Sequence, residues 1–363
     1  MENKNISGVE KEMQFSIYFH NDNDFNQSDD GYKFILDMSK YADENNYDSV
    51  WVPERHFDEF GASYPNPCVL LSAISSITKN INLNCGGLIM PLHDPLKIAE
   101  DYAMLDILSK QRAGIAFTSG WHVNDYVLNP DNFENKNEVL RKYIDIFNQV
   151  WKKKAYKRVN GNKDMVDIKV YPQPKQTELP QWLTTVMVDD NTWEEAGRLG
   201  INIFTELLVQ KRTNLEQGIK IYRESLQKNG FDPASRKVTL MLHVFIGNDG
   251  EDVRKIVEEP FKQFLVNHLR FFYKYAKANK GNLDFDPDVL SDADIQTLVS
   301  MGIKKYFEGQ ALIGDIHQVK ENVEYFKSIG VDELACLIDF GVDKKLIKER
   351  IENLTKLKEM YES

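Results

Sequence analysis

The chain has 363 residues, of which 42% are apolar and 28% charged, and its formal net charge is −11. That apolar share supports a large buried core, and a negative balance without blocks of like charge argues against a nucleic-acid groove or an anionic membrane as partner. No apolar run reaches the length of a membrane span, no leader pattern opens the chain, and Cys68, Cys85 and Cys336 show neither paired nor zinc-ligand spacing, so a cytoplasmic setting and no bound metal are expected.

Residues 1–12 read as a polar disordered tail ahead of one domain over 13–363. The first apolar, β-rich run is 14–19, ending at His20, and a helical pattern follows at 32–45. A second strand at 49–52 runs directly into Glu54, Arg55, His56, Asp58 and Glu59. A strand whose carboxyl end opens into an acid, a base and a cation is where α/β enzymes place their chemistry; a solvated loop with chance charges is the plain alternative. The third strand, 81–85, leads to Gly86 and Gly87, where missing side chains let a flat ligand approach the backbone. Asp94 before Pro95 reads as the cap of a helix over 96–108, with His93 beside it as a candidate for the pocket.

The fourth strand, 114–117, is followed by Thr118, Ser119, Gly120, Trp121, His122, Asn124 and Asp125, a cluster of hydroxyls, indole, imidazole, amide and acid, and then by a helix at 139–151. The interval 152–179 is longer than a strand–helix unit needs and alternates like a ribbon over 166–171. The fifth strand, 181–186, opens through Met187, Val188, Asp189, Asp190, Asn191 and Thr192 into a helix at 192–199. The free N–H groups of that helix end suit an anion, although Asp189, Asp190 and Asn191 serve equally well as plain caps. Strands at 202–204, 238–245 and 334–338 alternate with helices at 215–228, 316–328 and 344–360. The interval 260–309, rich in aromatics and lysine, reads as a second insertion. His243 lies in an apolar strand and reads as a satisfied core histidine, while His268 and His317 carry no special signal.

Eight apolar strands separated by helices predict a parallel sheet closed into a TIM-like (β/α)8 barrel, with the two insertions over its C-terminal face as lids. Walker, Rossmann, zinc-protease and nucleophile-elbow patterns are all missing, which leaves nucleotide hydrolysis, dinucleotide binding and serine hydrolysis without support.

Glu54 to Gly61, Tyr64 to Pro67, Gly86 to Pro91, Asp94-Pro95 with Ala99 to Asp101, Leu105-Asp106 and Ser119-Gly120 occur in order, and with them the chain resembles the luciferase-like flavin monooxygenases. Ser119 to His122, Leu207-Leu208 with Gln210, Leu240 to His243 and Asp339 to Gly341 are similar to the branch associated with polyketide and nonribosomal-peptide assembly lines. The resemblance implies an enzyme that receives reduced FMN from a separate flavin reductase. It implies transfer of one oxygen atom of O2 to a small or acyl-carrier-bound intermediate, by hydroxylation, Baeyer–Villiger insertion or N-oxygenation. The family also suggests a homodimer packed through helices near the second and third strands.

Residue by residue, Glu54 is similar to the acid beside the isoalloxazine, Gly86-Gly87 to a small pair where a non-prolyl cis peptide supports the ring, and Thr118 to the position near flavin N5. Met187, Val188, Asp189, Asn191 and Thr192 match the phosphate-binding turn, with Val188-Asp189-Asp190 replacing the usual Gly-Asn-Pro. Ser119, among the expected cofactor contacts, stands where bacterial luciferase has a phosphate-binding arginine, so the phosphate charge has to be met elsewhere. Arg55 stands in place of luciferase's catalytic histidine, so light emission is not expected. His56 and His122 are then the acid/base candidates and Arg55 the group for a substrate anion. Two other readings stay open: a deazaflavin- or flavin-dependent reductase on the same scaffold, and a non-catalytic flavin-binding partner subunit.

Overall fold

The structure is a computed structural model whose described residues are 12–20, 30–58, 63–185, 190–208, 210–278 and 291–362. The expected tail, apart from Glu12, and the turn residues Met187, Val188 and Asp189 lie outside them.

In chain order the strands are β1 (Gln14–Tyr18), β2 (Ser49–Val52), β3 (Asn82–Ile89), β4 (Ala113–Thr118), β5 (Tyr156–Val159), β6 (Met165–Ile168), β7 (Gln181–Thr185), β8 (Asn202–Glu206), β9 (Val238–Ile246), β10 (Leu312–Gly314) and β11 (Glu333–Leu337). The helices are α1 (Asp30–Glu44), α2 (Pro67–Ile77), α3 (Pro95–Leu108), α4 (Lys136–Trp151), α5 (Asp190–Leu199), α6 (Arg212–Lys228), α7 (Val253–Ala278), α8 (Asp292–Lys305), α9 (Ile316–Ser328) and α10 (Lys344–Glu359). Parallel pairing runs β11-β1-β2-β3-β4-β7-β8, and β9 joins β8 on one side and β11 on the other, which closes eight strands into the expected barrel.

The strands are continuous apolar runs because both faces are covered, by the barrel interior on one side and helices on the other. Trp51 and Trp182 meet edge to face inside it, with ring centres 4.9 Å apart. Below them Glu333, fully buried, accepts hydrogen bonds from Ser16, Ser49, Thr239 and the Trp51 indole, so its carboxylate is saturated with donors.

Besides shifts at strand ends, two features depart from the sequence reading. β10 is an additional three-residue strand paired with the upper end of β9, Leu312 opposite Val244, and it is too short to give a periodic signal. Gly86 and Gly87 carry no cis peptide; the one in the described residues is Tyr171–Pro172. Instead the β3–β4 register shifts between Gly86 and Leu88, a bulge that Gly87 permits at φ 136°. Of the two intervals expected as insertions, 152–179 follows α4 and carries the antiparallel β5–β6 hairpin, whose Arg158 pairs with Asp94, the N-cap of α3. The interval 260–309 contributes most of α7 and all of α8.

Candidate active site

The carboxyl ends of the barrel strands enclose a cavity of about 210 Å³. Glu54 and Arg55 enter it after β2, Gly86 and Gly87 from β3, Thr118 and Trp121 from β4 and the turn beyond it, and Phe264 and His268 from α7. This is the face on which barrels of this type assemble sites, because strands and helices alternate in direction and the loops after the strands converge there.

Glu54 is 3% exposed and each of its oxygens is engaged. The Ile89 N–H donates to Oε2 at 2.6 Å, and Oε1 accepts from His93 Nε2 at 2.6 Å and from His56 Nε2 at 3.2 Å. Burial works against ionisation, but the hydrogen bonds and charge of the two imidazoles outweigh it and hold the carboxyl down at about 2. Burial likewise disfavours the His93 cation, and Glu54 reverses the balance and raises its pKa. A carboxylate oxygen and two imidazole nitrogens here lie within 4.8 Å of one another, a set that could ligate a cation, but all three already serve one another as hydrogen-bond partners.

Arg55 donates from Nη2 to His20 Nε2 at 3.1 Å, with its guanidinium carbon 5.9 Å from the Trp121 ring centre. Burial, followed by the Arg55 charge, keeps His20 well below its ordinary pKa, so its imidazole is the neutral acceptor that this contact needs.

The two predicted acid/base histidines do not line this cavity; each is held against an acid that does. His56 bonds Glu54, and His122, 2% exposed, bonds Asp125 Oδ1 through Nδ1 at 3.0 Å. His93 is also behind the wall. His20, His243 and His268 line the cavity instead. His243, expected to be a satisfied core residue, leaves Nε2 without a partner among the described residues, in a cage of Phe261, Phe264 and Phe340, and burial followed by His268 lowers it to about 3. His268 is lowered to about 3 by burial and then by Arg55. Strand alternation gives a residue's face but not its height, so a cavity-facing histidine and a core histidine look alike in sequence.

A second cavity, of about 90 Å³, adjoins the first. Ser119, Asn191 and Thr192, all predicted cofactor contacts, line it together with Asn137 and Arg141 of α4. Thr184 borders both cavities, and its Oγ1 is buried without a partner among the described residues. Sequence reasoning missed Arg141: it sits in an amphipathic helix beside buried Leu140 and Ile144, where arginine is unremarkable. Glu195 of α5 holds it, Arg141 Nε lying 2.7 Å from each carboxylate oxygen, and Arg198 also reaches Glu195 at 3.1 Å.

These features fit FMN. The larger cavity offers a wall at Gly86-Gly87, where a Cβ on Gly87 would stand in the space 3.7 Å from Thr118 Cγ2 and 3.9 Å from Thr184 Oγ1. The smaller offers an arginine, hydroxyls and the first turn of α5 for a phosphate, with the Glu195 carboxylate that holds Arg141 also on its wall, and the Thr184 hydroxyl, unpartnered among the described residues, lies between the two.

The family model of luciferase-like monooxygenases matches residues 13–333. The oxygenase component of a flavin-dependent trigonelline monooxygenase from Acinetobacter baylyi is 22% identical over 354 residues, covering 94% of this chain and 93% of that protein. Among solved structures, the monooxygenase RslO1 from Streptomyces bottropensis superposes with a TM-score of 0.75 at 17% identity, covering 95% of this chain and 98% of that one. The oxygenating constituent of 3,6-diketocamphane monooxygenase from Pseudomonas putida, a type II Baeyer–Villiger enzyme in complex with FMN, gives 0.73 at 17% identity over 95% and 97% of the two chains.

Proposed function

The chain belongs to the luciferase-like monooxygenase family, and on that premise we propose that it is the oxygenase half of a two-component system. In this reading it takes reduced FMN from a separate reductase and delivers one atom of O2 to a small or carrier-bound intermediate of natural-product biosynthesis. The observation that carries the reading is the pair of cavities joined at Thr184, a glycine-walled one beside Glu54 and a phosphate-sized one beside Arg141. The matching relative is itself named an oxygenase component, which supports a separate reductase.

Reduced FMN, when bound, supplies the electrons that activate O2. The protein's part is to hold and orient. Arg141, Ser119, Asn191 and Thr192 take the phosphate, and Thr118, Gly86 and Gly87 border the ring. Glu54, fixed by three donors, presents a carboxylate that stays ionised at neutral pH. His56 and His122 act as positioning groups through Glu54 and Asp125, and Arg55 meets an anionic part of the substrate. Phe264 and His268 of α7 exclude water, which protects the coupling of O2 use to product. No described helix is long and apolar enough to cross a membrane.

Incubation with FMNH2, 18O2 and candidate carrier-bound or free intermediates is expected to give a product carrying one 18O atom, read by mass spectrometry. Product formed without label would mean a reductase or dehydrogenase, and no O2 consumption with supplied FMNH2 would mean a non-catalytic flavin-binding chain.

A homodimer belongs to the same proposal. α2 and α3 pack side by side and expose Val69, Ile77, Met104, Ile107 and Leu108, an apolar strip that a second copy would cover. Sedimentation is expected to give twice the chain mass for the wild type and the single-chain mass for Met104→Asp with Leu108→Asp; a monomeric wild type would remove the dimer from the account.

A further inference from the structure

Glu206, the last residue of β8, borders the main cavity. Its backbone carbonyl accepts from Gln210, but its carboxyl takes part in no hydrogen bond or ion pair among the described residues. This contrasts with the buried acids nearby: Glu54 holds three donors and Glu333 four. Half-buried at the cavity wall, this carboxyl is placed to meet a donor on whatever binds there.

The surroundings narrow what that something is. His20, His243 and His268 border the same cavity, and their burial keeps them neutral around pH 7, so they bring no counter-charge. Arg55 acts on Glu206 only at a distance and is engaged with His20. Tyr18 and Phe204 stack at 5.8 Å beside the acid, a pair of ring faces of the kind that attract a cation. Burial pushes the Glu206 carboxyl up to about 7 although the Arg55 charge pulls it down, so near neutrality the group stands ready to become a carboxylate when a cation arrives.

We propose that Glu206 is a substrate-recognition residue and that the substrate it selects carries a protonated amine, whose N–H donates to the Glu206 carboxylate while its carbon skeleton lies against Tyr18 and Phe204. The inference rests on the reading that this cavity receives an organic substrate beside FMN. It extends that reading by naming the chemical class of the substrate.

The test uses benzylamine and benzyl alcohol, which match in size and differ in charge, with binding followed by calorimetry on the full-length protein at about pH 8, where Glu206 is ionised and the amine protonated. Benzylamine is expected to bind about tenfold more tightly than benzyl alcohol, and Glu206→Gln to abolish that preference while leaving benzyl alcohol unchanged. Lowering the pH to about 6 is expected to weaken benzylamine binding about tenfold in the wild type and not in the variant, since Tyr18, Tyr306 and the three imidazoles keep their charge across that interval. Equal binding of the two probes by the wild type, or a preference that survives Glu206→Gln, overturns the proposal. FMN binding by wild type and variant, measured separately by fluorescence quenching, is expected to be equal. If the wild type binds no FMN the cofactor reading fails, and the probe comparison still decides the amine inference.

Discussion

Glu54→Gln is expected to lower oxygenated-product formation by about 10²-fold or more, on the scale seen when one preorganised electrostatic group is removed from an active site. The amide is the same size but cannot accept three hydrogen bonds. If its oxygen keeps the Ile89 N–H, its NH2 group faces the Nε2–H groups of His56 and His93, and donors meet donors. Leaving the partners of a buried charge unsatisfied also costs about 3 kcal/mol of stability, measurable as a lower urea midpoint. The acid dependence gives an independent check. Because the folded pKa of Glu54, about 2, lies below its unfolded value, the stability it contributes is present above the ordinary carboxylate range and is lost as pH falls through about 2. His93 runs the other way: its raised pKa contributes stability at low pH that is lost as pH rises past its folded value. Once His93 is protonated, further acidification toward about pH 2 should therefore destabilise the wild type more than Glu54→Gln. Equal activity and equal acid sensitivity would show that Glu54 is a bystander.

The second large effect concerns the proposed FMN seat. Gly87 lies at φ 136°, where side chains are strained by about 1 to 3 kcal/mol, and its Cα–Cβ direction leads into the space between Thr118 and Thr184. Gly87→Val adds this backbone strain and three carbons in the ring's place, and FMN affinity is expected to fall by about 100-fold or more, read by equilibrium dialysis. At the other end of the seat, Arg141→Ala is expected to cost about tenfold, the lower part of the range for a hydrogen bond to a charged group, because its side chain is 52% exposed and solvent screens it. Glu195→Gln should shift affinity in the opposite direction by freeing the guanidinium from its carboxylate. If the Arg141 and Glu195 variants move affinity the same way, the smaller cavity is not the phosphate site.

Most of the barrel is legible in the sequence because a strand buried on both faces has to be apolar along its whole length, and the ranges predicted for β1, β2 and β4 differ from the structure by two residues at most at either end. What escaped was decided at strand ends. The sixth strand, read as ending at Phe204, continues to Glu206, and the two extra residues carry a carboxyl to the cavity. The last strand, read from Leu334, begins at Glu333, whose acid is the centre of the barrel floor. A charged residue at the edge of an apolar run carries no local signal of whether the sheet takes it in; that depends on pairing with strands far along the chain. The site was legible as a set of loops and less so as a set of roles. Glu54, Arg55, Gly86, Gly87 and Thr118 reach the main cavity, and Ser119, Asn191 and Thr192 the smaller one. His56 and His122 turn back onto acids, because an imidazole next to a carboxylate in sequence is as well placed to bond it as to face a substrate.

The most direct measurement is a crystal structure with FMN bound. The phosphate is expected between Arg141, Ser119, Asn191 and Thr192, the chain passing Thr184, and the ring in the main cavity against Gly86-Gly87 on the side of Glu54. An FMN whose phosphate lies away from Arg141, or whose ring lies outside the cavity that Glu54 borders, would contradict this placement.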